Sequence, residues 1–490
     1  MEANGLTRAA LSAARGTLRR RRAVTTMSRL PSTRPEPHLT APDDSSQPAA
    51  LPTHWHRRVL TLAFPIVLAN LTQPILGAVD TAVAGHLDGP QYLGGVALGG
   101  LVFSFVFWGF GFLRMGTTGL VAQAFGARDA AALRAHVLRA LMLALAIGVA
   151  VLVLQVPIIR YALGALGGSA AVQQTASAYC HARIWAAPFA LGNYAVLGYL
   201  LGCQRVRLAL ATQVLINAVN IVAVLLFVYR FGWGIAGMGA ATAFADFCGF
   251  AFGLALLWRL GERGLPPLAI RSLIDARAIQ RLIAINRDIF VRTLCLLASF
   301  GWFAHVGARQ GDTILAANAL LLNFQTFMAF GLDGFAHAAE ALVGAAAGAR
   351  DRHAFRQAVK VTMLWSAIGA AGFSVVYWLG GEWIIGRLTD QAAVRAAALR
   401  YLPWAAILPL ASVAGFQFDG VFIGATRTRE LMQAMAASLA VFLLAAWAFA
   451  GAFGNHGLWL ALTVFMIARG VTLLVQLPSV ERASCAGESR

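Results

Sequence analysis

Four residues in the first long apolar run are spaced for chemistry. Asn70, Gln73, Gly77 and Asp80 fall at i, i+3, i+7 and i+10, a single narrow arc if the run is helical. A carboxylate ringed by amides can take up and release a proton or hold a small cation, because burial and hydrogen bonding shift its protonation equilibrium. Two further amides, Asn217 and Asn220, lie near one turn apart in a later apolar run, and Asp246 sits at similar depth in the next. The second half of the chain has its own set: Asn323, Thr326, Asp333, His337 and Glu340 at offsets 0, 3, 10, 14 and 17, with Asp419 further on. Each of these has a plainer alternative. Asp80 also reads as an inert helix-end residue at a membrane surface. His337 reads as a satisfied interhelical partner, and Asp333, Glu340 and Asp419 as a structural network. Asp288 is expected to pair with Arg292 at i+4 and with adjacent Arg287.

The elements that carry these residues must lie in a bilayer. Hydrophobic residues make up 59% of the 490, and only 12% are charged, against roughly 25% in globular proteins. An ionisable group inside a span costs roughly 2.5–3.5 kcal/mol on insertion scales, so each needs a reason to be there. Period-2 alternation is absent, so helices rather than a barrel are expected. Twelve spans are predicted at about 58–80, 92–113, 133–157, 176–201, 208–229, 235–258, 282–305, 313–338, 355–379, 395–418, 432–452 and 457–478. The small-residue run Gly234 to Thr242 opens the sixth and predicts close helix approach. Pro65 and Pro74 lie in the first span, where each removes a backbone donor and permits a bend.

The chain also repeats itself. Leu120-Val121 before Gly126-Ala127-Arg128-Asp129 returns as Leu342-Val343 before Gly348-Ala349-Arg350-Asp351, and 348 − 126 = 222. Gly202, Arg205 and Arg207 return as Gly424, Arg427 and Arg429 at the same offset. A duplicated half is therefore expected, and in a polytopic membrane protein such halves usually build a transporter. The fold class predicted is an all-α integral membrane protein, with twelve transmembrane helices in two pseudo-symmetric six-helix lobes. The predicted organisation is a disordered basic tail over 1–56, a first lobe over 57–262, a linker over 263–281, a second lobe over 282–478 and a tail over 479–490.

Net charge is +18 and nearly all of it is arginine, Lys360 being the single lysine. The arginines gather in alternate loops, as at Arg128, Arg205, Arg263, Arg350 and Arg427, which predicts that both termini are cytoplasmic. They read as loop anchors, so nucleic acid is not an expected partner. The five cysteines show neither metal spacing nor a disulfide framework. No secretory signal is indicated; the Arg-rich start could imitate a transit peptide, and Met27 is an alternative start.

Several stretches together resemble the multidrug and toxic compound extrusion (MATE) family, most closely its DinF-like branch. They are Leu76 to Asp88, Tyr92 to Ala97, Phe112 to Met115, Thr117 to Leu120 and Gln123 to Ala127, then Asn286-Arg287-Asp288, Leu332 to Ala336 and Asp419 to Arg427. The resemblance covers roughly Arg57 to Leu477. It implies an exporter, driven by inward flow of protons or sodium, with a cavity between two lobes. It also implies that Asp80 is the coupling carboxylate, that Pro65 marks the bend of the first helix, and that Asn220 and Asp246 belong to the same site. Where many relatives carry an aspartate one turn after that asparagine, this chain has Val224. Fewer carboxylates make a poorer cage for a hard cation, so H+ is favoured over Na+ as the coupling ion.

The reading is a secondary active efflux transporter, a proton-coupled antiporter of amphipathic or cationic xenobiotics or toxic metabolites. It is expected as a monomer in the lipid bilayer of the bacterial inner (plasma) membrane. Asp80, Asp246, Asn217, Asn220 and Gln73 would couple the proton, Pro65 would bend, and Asp333, His337, Glu340 and Asp419 would form a polar cluster in the second lobe. The alternatives are a sodium-coupled drug antiporter or a flippase for lipid-linked precursors. A flippase would favour a strongly cationic cavity, for which Arg114 and Arg183 are the in-span candidates. No enzyme signature, cofactor or metal site is evident.

Overall fold

The computed structural model describes residues 52–87, 89–260, 273 and 275–485, and the regular structure among them is helical throughout. That is what lipid demands, since a helix satisfies its backbone polar groups within one segment. The first-half helices are α1 (Pro52–Gly85), α2 (Pro90–Gly109), α3 (Phe112–Gly126), α4 (Ala130–Val153), α5 (Gln155–Leu166), α6 (Ala170–Arg183), α7 (Ala187–Gly202), α8 (Val206–Leu225) and α9 (Gly234–Leu260). The second-half helices are α10 (Ala276–Ala308), α11 (Asp312–Gly348), α12 (Arg352–Leu388), α13 (Ala392–Gly424) and α14 (Thr428–Cys485).

Three predicted spans are broken helices. The second parts at Phe110–Gly111 into α2 and α3, the third ends at Leu154 before α5, and the fourth passes through a tight turn at Ile184–Ala186. Pro188 follows that turn within the first residues of α7, where its missing N–H is harmless. In contrast, α14 is two helices. Its backbone leaves helical geometry at Gly454 (φ 57°). The rings of Phe442 and Phe465 lie 5.6 Å apart, whereas that separation in a straight helix would be roughly 35 Å at about 1.5 Å per residue. The two arms therefore lie antiparallel. Ten segments among the described residues are long and apolar enough to cross a membrane. Counting α14 as two arms makes eleven, and α1, a helix of 34 residues, is not among the ten. The ends also differ from expectation: α1 begins at Pro52, inside the predicted tail, and α14 continues to Cys485. Residues 1–51 of that tail and most of the predicted linker lie outside the described residues.

The repeat reappears as stereochemistry. Positive φ occurs at Arg128 and Arg350 (both 56°) and at Gln204 (58°) and Thr426 (54°), pairs separated by 350 − 128 = 222 and 426 − 204 = 222. Each lets the next residue turn back on the helix it ends: Asp129 N–H donates to the Ala124 carbonyl, Asp351 to Ala346, Arg205 to Leu200 and Arg427 to Phe422. This is the hydrogen-bond pattern of a left-handed helix cap. Asp129 and Asp351 then start the following helices, accepting from the amides of Ala132 at 2.8 Å and Ala354 at 2.9 Å. The repeated Gly-Ala-Arg-Asp is thus a stop–start signal between helices.

The two halves also meet reciprocally. A side chain on Gly126 would strike the Ala345 carbonyl, and one on Gly348 would strike the Gln123 carbonyl; 345 − 123 = 222. Contact of i with j′ and of j with i′ is the signature of a local two-fold axis. Both glycines are there for close backbone approach. Gly126→Val is expected to destabilise the protein by about 1–3 kcal/mol through overpacking, read as a lowered unfolding temperature in detergent. Gly164→Val, where a side chain meets nothing within 4 Å, should leave that temperature unchanged.

Candidate coupling site

Helix α1 packs on α8 from its own half and on α11 from the other. It runs unbroken through Pro65 and Pro74 to Gly85. Asn70 Nδ2 donates to the Phe330 carbonyl on α11 at 3.1 Å. Two residues on, Thr72 Oγ1 accepts from Asn217 Nδ2 at 2.7 Å, and Asn217 Oδ1 accepts from Gln213 at 3.1 Å. Asp80 is half-buried, and its Oδ1 is enclosed with no hydrogen-bond partner among the described residues. The side chain of Gln73 lies outside the described residues.

The other predicted site residues come to the same bundle without touching Asp80. Asn220 is fully buried and donates to Thr242 Oγ1 on α9 at 3.1 Å, leaving its own Oδ1 unpartnered. Asp246 is on the next turn of α9, where Asn193 of α7 donates to its backbone carbonyl at 3.0 Å and reaches its carboxylate at 3.5 Å. Among the described residues no hydrogen bond joins Asp80, Asn217, Asn220 and Asp246 to one another. The amides instead tie the helices together around the two acids. What relates the acids is Arg183, at the end of α6, whose guanidinium interacts electrostatically with both Asp80 and Asp246. Sequence spacing flags Arg183 only as an isolated in-span charge.

The second-half acids are bound into a charge network. Arg114 Nη1 of α3 donates to Glu340 Oε2 of α11 at 3.0 Å, a pair between halves with side chains 11% and 2% exposed. Asp419 Oδ2 accepts from Arg469 at 2.7 Å and from Arg292. Asp333 lies within the field of Arg114, Arg292, Asp419 and Glu340. The buried charges Arg114, Arg292 and Arg469 thus pair directly with Glu340 and Asp419, which favours the structural alternative for these two acids. Asp333 is half-buried and makes no ion pair among the described residues. Arg469 escapes sequence reading, although a lone arginine within the apolar run 457–478 is its signal.

Two expectations are corrected. Asp288 pairs with Arg287 at 2.8 Å and accepts from Thr428 at 3.2 Å, while Arg292 turns to Asp419. Asp288 already has Arg287 as its counter-charge, and Arg292 goes to the buried carboxylate that it shares with Arg469. His337 is not the satisfied partner expected: its Nδ1 has no hydrogen-bond partner among the described residues. It faces a cleft of about 50 Å³ lined also by Ile66, Asn70, Leu197 and Gln213. Asn323 and Thr326, predicted on the same polar face of α11, are exposed.

Comparison with known proteins fits this architecture. The chain is 42% identical to DNA damage-inducible protein F of Escherichia coli over 420 residues, covering 86% of this chain and 90% of that protein. It is 31% identical to a probable multidrug resistance protein NorM of Bradyrhizobium diazoefficiens, covering 74% and 78%. Its fold is similar to that of a MOP superfamily transporter from Pyrococcus furiosus, with a TM-score of 0.80 at 19% identity over 87% of this chain and 96% of the other. The MatE family profile matches residues 65–226 and 289–447, one stretch in each half of the repeat, and the chain therefore belongs to the MatE family.

Proposed function

We propose that the protein is a proton-coupled antiporter, exporting amphipathic, often cationic, xenobiotics or toxic metabolites across the bacterial inner membrane. In this reading it works as a monomer with both termini in the cytoplasm. The observation that carries the proposal is the position of Asp80. Its carboxyl has an enclosed oxygen with no partner among the described residues, and it sits on a helix hydrogen-bonded both to α8, through Thr72 and Asn217, and to α11, through Asn70. A proton gained or lost there changes the charge of α1 and so the balance of contacts to both halves. Pro65 lacks the N–H that would bond the Thr61 carbonyl, which gives α1 a place to flex. Asp246, Asn217, Asn220 and Gln73 tune the same equilibrium.

Cargo is assigned to the cleft between α1, α7, α8 and α11, whose lining is apolar with a few polar groups, Asn70, Gln213 and His337. Its volume of about 50 Å³ is well below the roughly 300 Å³ at which small-molecule pockets begin, so the helices must part to admit cargo. The buried arginines Arg114, Arg292 and Arg469 each carry an acidic partner. A lipid-linked phosphate cargo would instead call for cations facing the cargo, and no arginine is among the residues lining the cleft. In this reading Glu340 and Asp419 hold the second half rigid while α1 moves.

The test is ethidium transport by everted vesicles under an imposed pH gradient, compared with an imposed sodium gradient. Transport driven by the pH gradient alone is expected. Transport driven only by sodium would overturn the coupling ion, and no transport under either would overturn export of this cargo class.

A further inference from the structure

Arg183 is held by neutral groups only. Its Nη1 donates to the Tyr179 hydroxyl at 2.6 Å, and its guanidinium lies 4.8 Å from the ring centre of Phe103 and 5.6 Å from that of Tyr179. Its Nε has no hydrogen-bond partner, and among the described residues no ion pair within 4 Å involves it. Side chains of this kind keep a guanidinium in place through its faces without cancelling its charge. That charge is left to act on the carboxylates around it.

Its charge acts on both Asp80 and Asp246, and Val83 and Ala84, about one turn past Asp80 on α1, pack in the same buried cluster as Phe103 and Tyr179. Gly239 of α9 allows close approach to the Tyr179 carbonyl and the Arg183 amide, and Asp246 lies seven residues on, along the same face of α9. Gly99 of α2 gives room for the Tyr179 ring. The titratable groups facing Arg183 are Asp80 from α1, Asp246 from α9 and Tyr194 from α7, with Tyr179 and Cys180 on its own helix. From α2 it meets Phe103. Val224 of α8 is fully buried in the apolar cluster that also holds Tyr179, so α8 adds no carboxylate at that position.

We infer that Arg183 is the resident counter-cation of the Asp80–Asp246 site, a positioning residue whose charge takes the place a metal cation would fill and leaves room for a proton. The inference rests on the proposed proton antiport and names what makes it selective for protons over sodium. Two carboxylates and one guanidinium leave a single negative charge, which one proton neutralises. A sodium ion would need several oxygen ligands, as hard cations do, and would sit beside a fixed positive charge.

Radioactive sodium binding to the purified protein at pH 8 tests this without transport, so its outcome is separate from whether the protein couples efflux to protons. Wild type is expected to show no Asp80-dependent sodium binding. Arg183→Gln should gain it, Arg183→Lys should not, and Asp80→Asn added to Arg183→Gln should abolish the gain. If Arg183→Gln does not yield monodisperse protein, Arg183→Met, which keeps the stem over Phe103, must show the same gain. Where wild type transports, Arg183→Gln should also move the pH profile of ethidium efflux to more alkaline pH, because loss of a nearby cation favours the protonated carboxyl, and Arg183→Lys should restore it. Asp80-dependent sodium binding by wild type, or no gain in the folded neutral variants, would overturn the assignment.

Discussion

Asp80→Asn is expected to reduce pH-driven efflux to the level of vesicles lacking the protein, while the variant reaches the membrane in normal amount. Asparagine keeps the size and hydrogen-bonding reach of the carboxyl but cannot lose a proton, so α1 is held in one charge state. The links of α1 to its neighbours, Asn70 to Phe330 and Thr72 to Asn217, do not involve the Asp80 side chain, so folding should be spared. Retained efflux in this variant would remove Asp80 from the mechanism. Thr72→Val offers a graded comparison. It strands the Asn217 amide and should slow transport without abolishing it, measured as the initial efflux rate at matched membrane levels.

Asp419→Ala is expected to have the largest effect on stability. It leaves Arg292 and Arg469, 7% and 2% exposed, facing each other without the carboxylate they share. Removing one partner of a buried ion pair costs about 3–5 kcal/mol because a buried charge goes uncompensated. The unfolding temperature in detergent and the yield from membranes should both fall. Protein that does fold should keep the wild-type pH profile of transport, since the account gives Asp419 no part in proton exchange. An unchanged unfolding temperature would show that the network is solvated, and a displaced pH profile would return Asp419 to the coupling machinery.

The duplicated halves are legible in the sequence because the repeated residues are under stereochemical demand. Gly126 and Gly348 must be small where backbones meet, and Asp129 and Asp351 must accept from free amides at helix starts. The spans are legible because lipid requires long apolar runs. Their interruptions at Phe110–Gly111, Leu154 and Ile184–Ala186 are not, since each lies inside a run long and apolar enough to read as one span.

At the site, spacing shows which residues share a helix face and does not show what stands opposite. The arc containing Asn70 and Asp80 is visible for that reason, and the partners Phe330 and Thr72 are not. The same limit explains Asp288, where a helical i+4 pairing with Arg292 was available and lost to Asp419 on another helix. Arg183 and Arg469 are visible only as charges in apolar runs, and their roles come from helices distant in sequence.

Proton movement accompanying cargo movement addresses the central claim most directly. Proteoliposomes with trapped pyranine, given an inward ethidium gradient and no imposed ion gradient, should become alkaline inside as ethidium enters and protons leave. Asp80→Asn liposomes should show no such change. Ethidium entry through the wild-type protein without lumenal alkalinisation would contradict the account.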